Sequence, residues 1–225
     1  MPYIPVTMPV QFADTIKNWS ADEKVANVSS VIAVLKDTWN LQTFENLQQG
    51  KVAVGDEVIN RSLAAALEGN TQIKELTVAS QENHTLKITA LTSEVGHVVM
   101  VCRIEQFQQD KDSSFIKLKV LDKKLPDKPF VSWIFSRVSL AMVTKLVGKV
   151  EPGHGLNVQI EGNYVTVDFH QALLMSPLGN SQLFGYKPLE ALTITEAVPE
   201  KGYVVFKTAV DMPEGVSAMI KNVLE

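Results

Sequence analysis

Over residues 129–148 apolar side chains recur around most of a helical circumference, and on either side the pattern switches to alternation. Phe130, Ile134, Phe135, Val138, Ala141 and Met142 form a broad stripe, which Trp133, Leu140 and Val147 extend. A helix apolar over so much of its surface has to be mostly surrounded. Pro129 suits its first turn, and Lys145 followed by Gly148 suits its end. If a sheet supplies the cover, the result is either an elongated solid core or a sleeve around an apolar ligand.

The flanking patterns predict that sheet. Residues 73–80 read as a strand, and 84–92 alternate Leu86, Ile88 and Ala90 against Lys87 and Thr89. After a turn at Val95-Gly96, Val98, Met100, Cys102 and Ile104 share one face of a strand over 97–107. On its other face Val99 and Val101 are apolar too, so the first half of this strand is expected to be covered on both sides. The polar tract 108–114 turns the chain into Ile116, Leu118 and Val120, which alternate with Lys117 and Lys119. Short connections make an antiparallel meander the natural pairing. Beyond the apolar segment, Leu156, Val158 and Ile160 pair through a Glu161-Gly162-Asn163 turn with Val165, Val167 and Phe169. Strands at 190–197 and 202–210, joined by a turn around Pro199 to Gly202, close the series, and 214–224 reads as a short helix.

Ahead of the meander, Ser20 and Glu23 have capping-box spacing, and Val25, Val28, Ile32, Leu35 and Trp39 follow on one helical face. A shorter helix carrying Phe12 and Ile16 precedes it. A strand at 51–54 leads to Asp56, an expected N-cap for a helix with Ile59, Leu63, Ala66 and Leu67 that stops at Gly69-Asn70.

The net charge of −4, with scattered basic residues, argues against nucleic acid. Lys117, Lys119, Lys123, Lys124 and Lys128 come nearest to a cluster and read as a solvated sheet face. Cys102 is the single cysteine, so no internal disulfide forms, and its apolar surroundings suit a small buried hydrophobe. The first residues lack the charged and apolar regions of a signal peptide, so the chain as it stands reads as cytoplasmic. It would be envelope-associated if a signal had been removed. A spanning helix needs about 20 mostly apolar residues, and Arg137, Lys145 and several hydroxyls interrupt 129–148, so no transmembrane segment is expected.

No nucleophile-elbow, dinucleotide, phosphate-loop or zincin pattern is present, so neither an enzyme nor a metal or other cofactor is expected. Period-two geometry puts Tyr164, Thr166, Asp168 and His170 on one strand face, where an Asp beside a His could orient a base. The plainer reading, the wet face of a hairpin strand, is preferred. Met100, Cys102, Trp133, Phe135 and Met142 are the candidate lining of an apolar ligand site, with a packed core as the alternative.

The order of a short strand, the helix GDEVINRSLAAAL, a meander, an apolar helix, GLNVQIEGNYVTVDF and a final hairpin resembles the plan of small bacterial TULIP-like (tubular lipid-binding, BPI-fold-like) proteins over residues 51–210. The likeness is closest to single-domain bacterial lipoproteins and the mannan-elongation factor type. It implies a curved sheet wrapped around a long helix, with lipid held in the groove. Two features depart from that plan: no signal or lipobox is seen, and the extra helical region at 9–39 is placed to plug or cap the groove.

The expected fold is α+β, a highly curved antiparallel sheet of about seven to nine strands around the 129–148 helix. One domain is expected, with an N-terminal arm and helical region (1–48), a sheet-and-helix body (51–210) and a C-terminal helix (211–225). The expected function is non-enzymatic binding of a lipid or other apolar small molecule. The alternative is a protein-interaction or structural module with a solid core, whose partner is a second copy or another protein.

Overall fold

A computed structural model describes residues 41–67, 69–140, 142, 155–176, 179 and 187–224. The helical region expected over 9–39 lies outside them, as does the end of the apolar segment from 143 onward.

The architecture is α+β, built on one nine-stranded sheet in which every pairing is antiparallel. Helix α1 (Leu41–Gln48) precedes β1 (Lys51–Gly55) and α2 (Asp56–Ala66). Next comes the meander β2 (Ile73–Gln81), β3 (Thr85–Thr92), β4 (Gly96–Gln109) and β5 (Ser114–Lys124). Helix α3 (Pro129–Phe135), the hairpin β6 (Asn157–Glu161) and β7 (Tyr164–Asp168), and helices α4 (His170–Met175) and α5 (Pro188–Ala191) follow. The hairpin β8 (Leu192–Glu200) and β9 (Tyr203–Val210) leads to α6 (Glu214–Leu224). The alternating segments all became strands because period-two patterning places one apolar row on the buried face.

Strand β4 organises the sheet. One edge pairs with β5, and the other pairs with β3 over its first half and with β8 at Gln109↔Ile194. Buried Gln109 reinforces that single bridge by donating from Nε2 to the carbonyls of Leu189 and Leu192, at 3.3 and 3.0 Å. Two bulges interrupt the β4–β5 ladder, between Val101 and Cys102 and between Ile104 and Gln106, and bulges bend a strand locally. The core collects on one face of the meander: Leu86, Cys102, Leu118 and Val120 are buried with Ala197 and Val204 from β8–β9 and with Leu140. Phe107 meets Phe206 edge-on, ring centroids 5.3 Å apart, and so joins β4 to β9.

The outer edge of β2 is covered by side chains of α2. Asn60 donates from Nδ2 to the carbonyl of Val78 at 2.9 Å, and its Oδ1 accepts the Val78 N–H at 2.7 Å. One amide thus stands in for a neighbouring strand and keeps that edge from serving as a template for pairing. Asp56 was expected to cap α2 but sits inside its first turn, with Gly55 at the cap position. Its carboxylate turns instead to Ser80 on β2.

The expected unbroken helix over 129–148 is not formed. Helix α3 ends at Phe135, the chain leaves helical geometry through Ser139, and helix resumes at Leu140. Local side-chain acceptors accompany the break. The Ser139 hydroxyl accepts the Met142 N–H at 3.3 Å, the geometry of an N-cap for the second segment. Asn163, from the β6–β7 turn, accepts the Leu140 N–H at 3.2 Å through Oδ1. The Leu140 N–H at this helix start is thus satisfied from a distant turn, and the Met142 N–H is shared between the hydroxyl and the carbonyl of Ser139.

Candidate functional site

Met100 and Cys102 stand two apart on β4 and so face the same way. Cys102 is 1% exposed within the buried cluster, and burial pushes its thiol up to about 11. Met100 is half-buried and packs against that cluster from its rim. In the β4–β5 register Met100 lies opposite Lys123, and opposed residues of an antiparallel pair project to the same face. Lys123 is buried, with its Nζ 5.7 Å from the centroid of the Phe135 ring. Phe135, the last residue of α3, is buried in turn. Met100 and Phe135 are therefore joined through a lysine. Trp133 lies in α3, and Met142 is exposed, outside the core.

A shallow, open concavity of about 450 Å³ lies between the exit of β5 and α3. Leu125, Pro126 and Pro129 give it apolar walls, with Lys124, Ser132 and Ser136 around them. The Ser132 hydroxyl accepts the Leu125 N–H at 2.9 Å and fixes α3 to the strand end. Ile134 and Met142, on either side of the helix break, expose apolar surface nearby in the chain.

Lys123 is buried, which removes it from the solvated lysine face expected from the sequence. Strict alternation from Val120 would turn Asp122 inward and leave Lys123 outside. The bulge opposite Val101/Cys102 inserts one residue into β5, so Cys102 pairs with Val120 but Val101 pairs with Asp122. Leu121 and Asp122 consequently face outward and Lys123 turns in. No residue type in 120–124 announces a bulge, which is why the pattern misses it. Asp122 instead pairs with Lys124 at 3.1 Å, both partly exposed.

The strand-face group at 164–170 divides. Tyr164, Thr166 and Asp168 share a face of β7, where the Lys117 and Lys119 ammoniums lie 5.3 and 5.8 Å from the Tyr164 ring centroid. His170 is not on that strand but opens α4. The Asp168 carboxylate accepts the His170 backbone N–H at 3.0 Å, whereas the imidazole Nδ1 meets Ser114 Oγ at 3.2 Å. Asp168 orients a peptide group here, so the carboxylate–imidazole pair of a general base is not formed. A shallow concavity of about 230 Å³ beside it is lined by Phe115, Asn157, Gln159, Thr166 and Asp168.

Among the described residues, no group of three or more His, Cys, Asp or Glu side chains is placed to hold a metal ion. No helix among them is long and apolar enough to cross a membrane. In comparisons with known proteins, the chain matches no family model, no curated protein and no solved structure.

Proposed function

We propose that the protein binds a lipid or other apolar small molecule without transforming it, at the junction of β5 and the 129–148 segment. The supporting observation is the open concavity of about 450 Å³ between the exit of β5 and α3, walled by Leu125, Pro126 and Pro129. Its volume falls within the range of small-molecule sites. The break at Ser139 leaves the segment half embedded: Phe135 and Leu140 are buried, whereas Ile134 and Met142 are exposed. Affinity would come from apolar burial, at roughly 25 cal/mol per Å². In this reading the sheet curls around the apolar segment, as in the TULIP-like plan, with the helix in two pieces.

Native mass spectrometry of freshly purified protein, followed by organic extraction, tests the reading. A discrete adduct released as lipid on denaturation is the expected result. Loss of that adduct in Met100→Trp at unchanged stability would assign it to this junction. A clean apo mass with no uptake of added fatty acid would overturn the reading.

A second reading, docking of a protein partner, is favoured by β6. That strand ends the sheet path and pairs only with β7 among the described residues, and an extended peptide can add to such an edge. The same spectrum reports the oligomeric state and any co-purified chain.

A further inference from the structure

The edge of a sheet is a template for further strands, and proteins ordinarily blunt it with lysine, proline, a bulge or a cover. Three strands have a single neighbour among the described residues: β1, β2 and β6. The Asn60 amide covers β2, and β1 carries exposed Lys51. Strand β6, Asn157-Val158-Gln159-Ile160-Glu161, contains no lysine, proline or bulge, and among the described residues it is hydrogen-bonded only to β7. Its turn decides which backbone groups stay open. Glu161 and Tyr164 close the two-residue turn Gly162-Asn163, in which Gly162 has φ +61°. The closing residues of such a hairpin bond to each other, and hydrogen-bonded pairs alternate along the ladder from there. Asn157, Gln159 and Glu161 are therefore bonded to β7, and the N–H and C=O groups of Val158 and Ile160 point away from it.

From this edge we infer that β6 pairs antiparallel with β6 of a second copy of the chain, about a two-fold axis at Gln159. The inference rests on the docking reading and names the partner. In the register that overlaps the whole strand, Val158 lies opposite Ile160 of the second copy, so the outward backbone groups of one strand meet those of the other. Asn157 faces Glu161, an amide donor against a carboxylate, and Gln159 faces itself, so no like charges are opposed. Ile160 packs against the core and Val158 shares its face, both half-buried, so this apolar row continues across the axis. Asn157, Gln159 and Glu161 stay on the exposed face. A strand that pairs with itself in this way closes at two subunits.

Sedimentation velocity of the full chain tests the inference, over concentrations centred on about 10 µM, the range of a short interface. A reversible monomer–dimer equilibrium is the expected result. Gln159→Lys and Gln159→Glu each set like charges against each other at the axis and should weaken the dimer about tenfold or more. An equimolar mixture of the two variants should recover it. Gln159 is exposed, so both variants should melt with the unmodified protein. Amide hydrogen exchange needs no variant: the Val158 and Ile160 N–H groups should exchange quickly in dilute protein and slow as concentration rises. A monomer throughout would overturn the second copy as partner and leave the edge to an extended segment of another protein. A dimer that ignores the Gln159 substitutions, or growth beyond two subunits, would place association elsewhere and overturn the inference. Protection of both amides in the dilute monomer would show the edge closed within the chain and overturn the docking reading as well.

Discussion

Asp56 and Ser80, on α2 and β2, are joined twice: one carboxylate oxygen accepts the Ser80 N–H at 2.7 Å and the other accepts its hydroxyl. Ser80 is buried, so removing the carboxylate leaves two donors without a partner. Asp56→Ala should destabilise the protein by about 1–3 kcal/mol in urea unfolding, the cost of stranding buried donors. A change within experimental error would mean that the apolar face of α2 and the Asn60 amide on Val78 hold the helix without Asp56.

Ser139 separates the two helical pieces of the apolar segment by capping the second. Ser139→Ala should cost about 1 kcal/mol, and Ser139→Asp should restore most of it, because either side chain can accept the Met142 N–H. Equal stability of all three proteins in urea would assign the break to the Asn163 contact with Leu140.

The strands were legible because their faces differ in polarity. From β2 through β5, and again in β6 to β9, alternation marks the buried row, and turn residues mark the ends. What could not be read is where local hydrogen bonding overrides the period. The apolar run at 129–148 invites one helix, but the Ser139 hydroxyl offers the backbone another partner, and the Asn163 side chain that helps start the second helix arrives from a distant turn. Helix α1 carries Phe44 and Leu47 at three-residue spacing and buries both. In an octapeptide that spacing is a weak periodic signal. The candidate site was half legible: Met100 and Phe135 meet around one lysine, but the bulge that turns the lysine inward leaves no mark in composition.

Cys102 should resist thiol reagents at pH 8 in the native protein and react at once on unfolding, since the thiolate is the reactive form and burial holds the folded thiol near 11 against 9.0. The linkage follows. Between pH 9 and 11 the unfolded chain releases this proton first, so stability contributed by the buried thiol falls as pH rises through that window. Cys102→Ala should flatten the alkaline limb of a stability-against-pH curve; an unchanged slope would place the alkaline sensitivity elsewhere.

Asp127 ties the loop before α3 to the start of β4. Its Oδ2 accepts the His97 backbone N–H and lies 2.8 Å from His97 Nδ1. Those contacts, the backbone one first, hold its carboxyl below the usual 3.8. The stability they contribute is present above that value and lost as pH falls through the lowered one. Asp127→Asn should therefore be less stable than the unmodified protein near neutrality, with the gap closing in acid. A gap constant down to pH 2 would mean that the loss comes from packing.

Gly96, beside this contact, has φ +80°, and a Cβ there would stand 2.5 Å from Asp127 Oδ2. Gly96→Ala should consequently destabilise more than Asp127→Asn, because it adds backbone strain to loss of the same contact. Thermal melts of the two variants side by side check the order.

Among the described residues strand β1 has one neighbour in the sheet, β9, and their register runs from Lys51↔Lys207 to Gly55↔Tyr203. During synthesis β1 emerges some hundred and fifty residues before the strand that completes it. Such separation raises contact order and slows closure of the sheet. Until then β1 and the buried faces of Phe44 and Leu47 remain open to chaperones and to other nascent chains, and a fragment ending before Tyr203 stays in that state permanently.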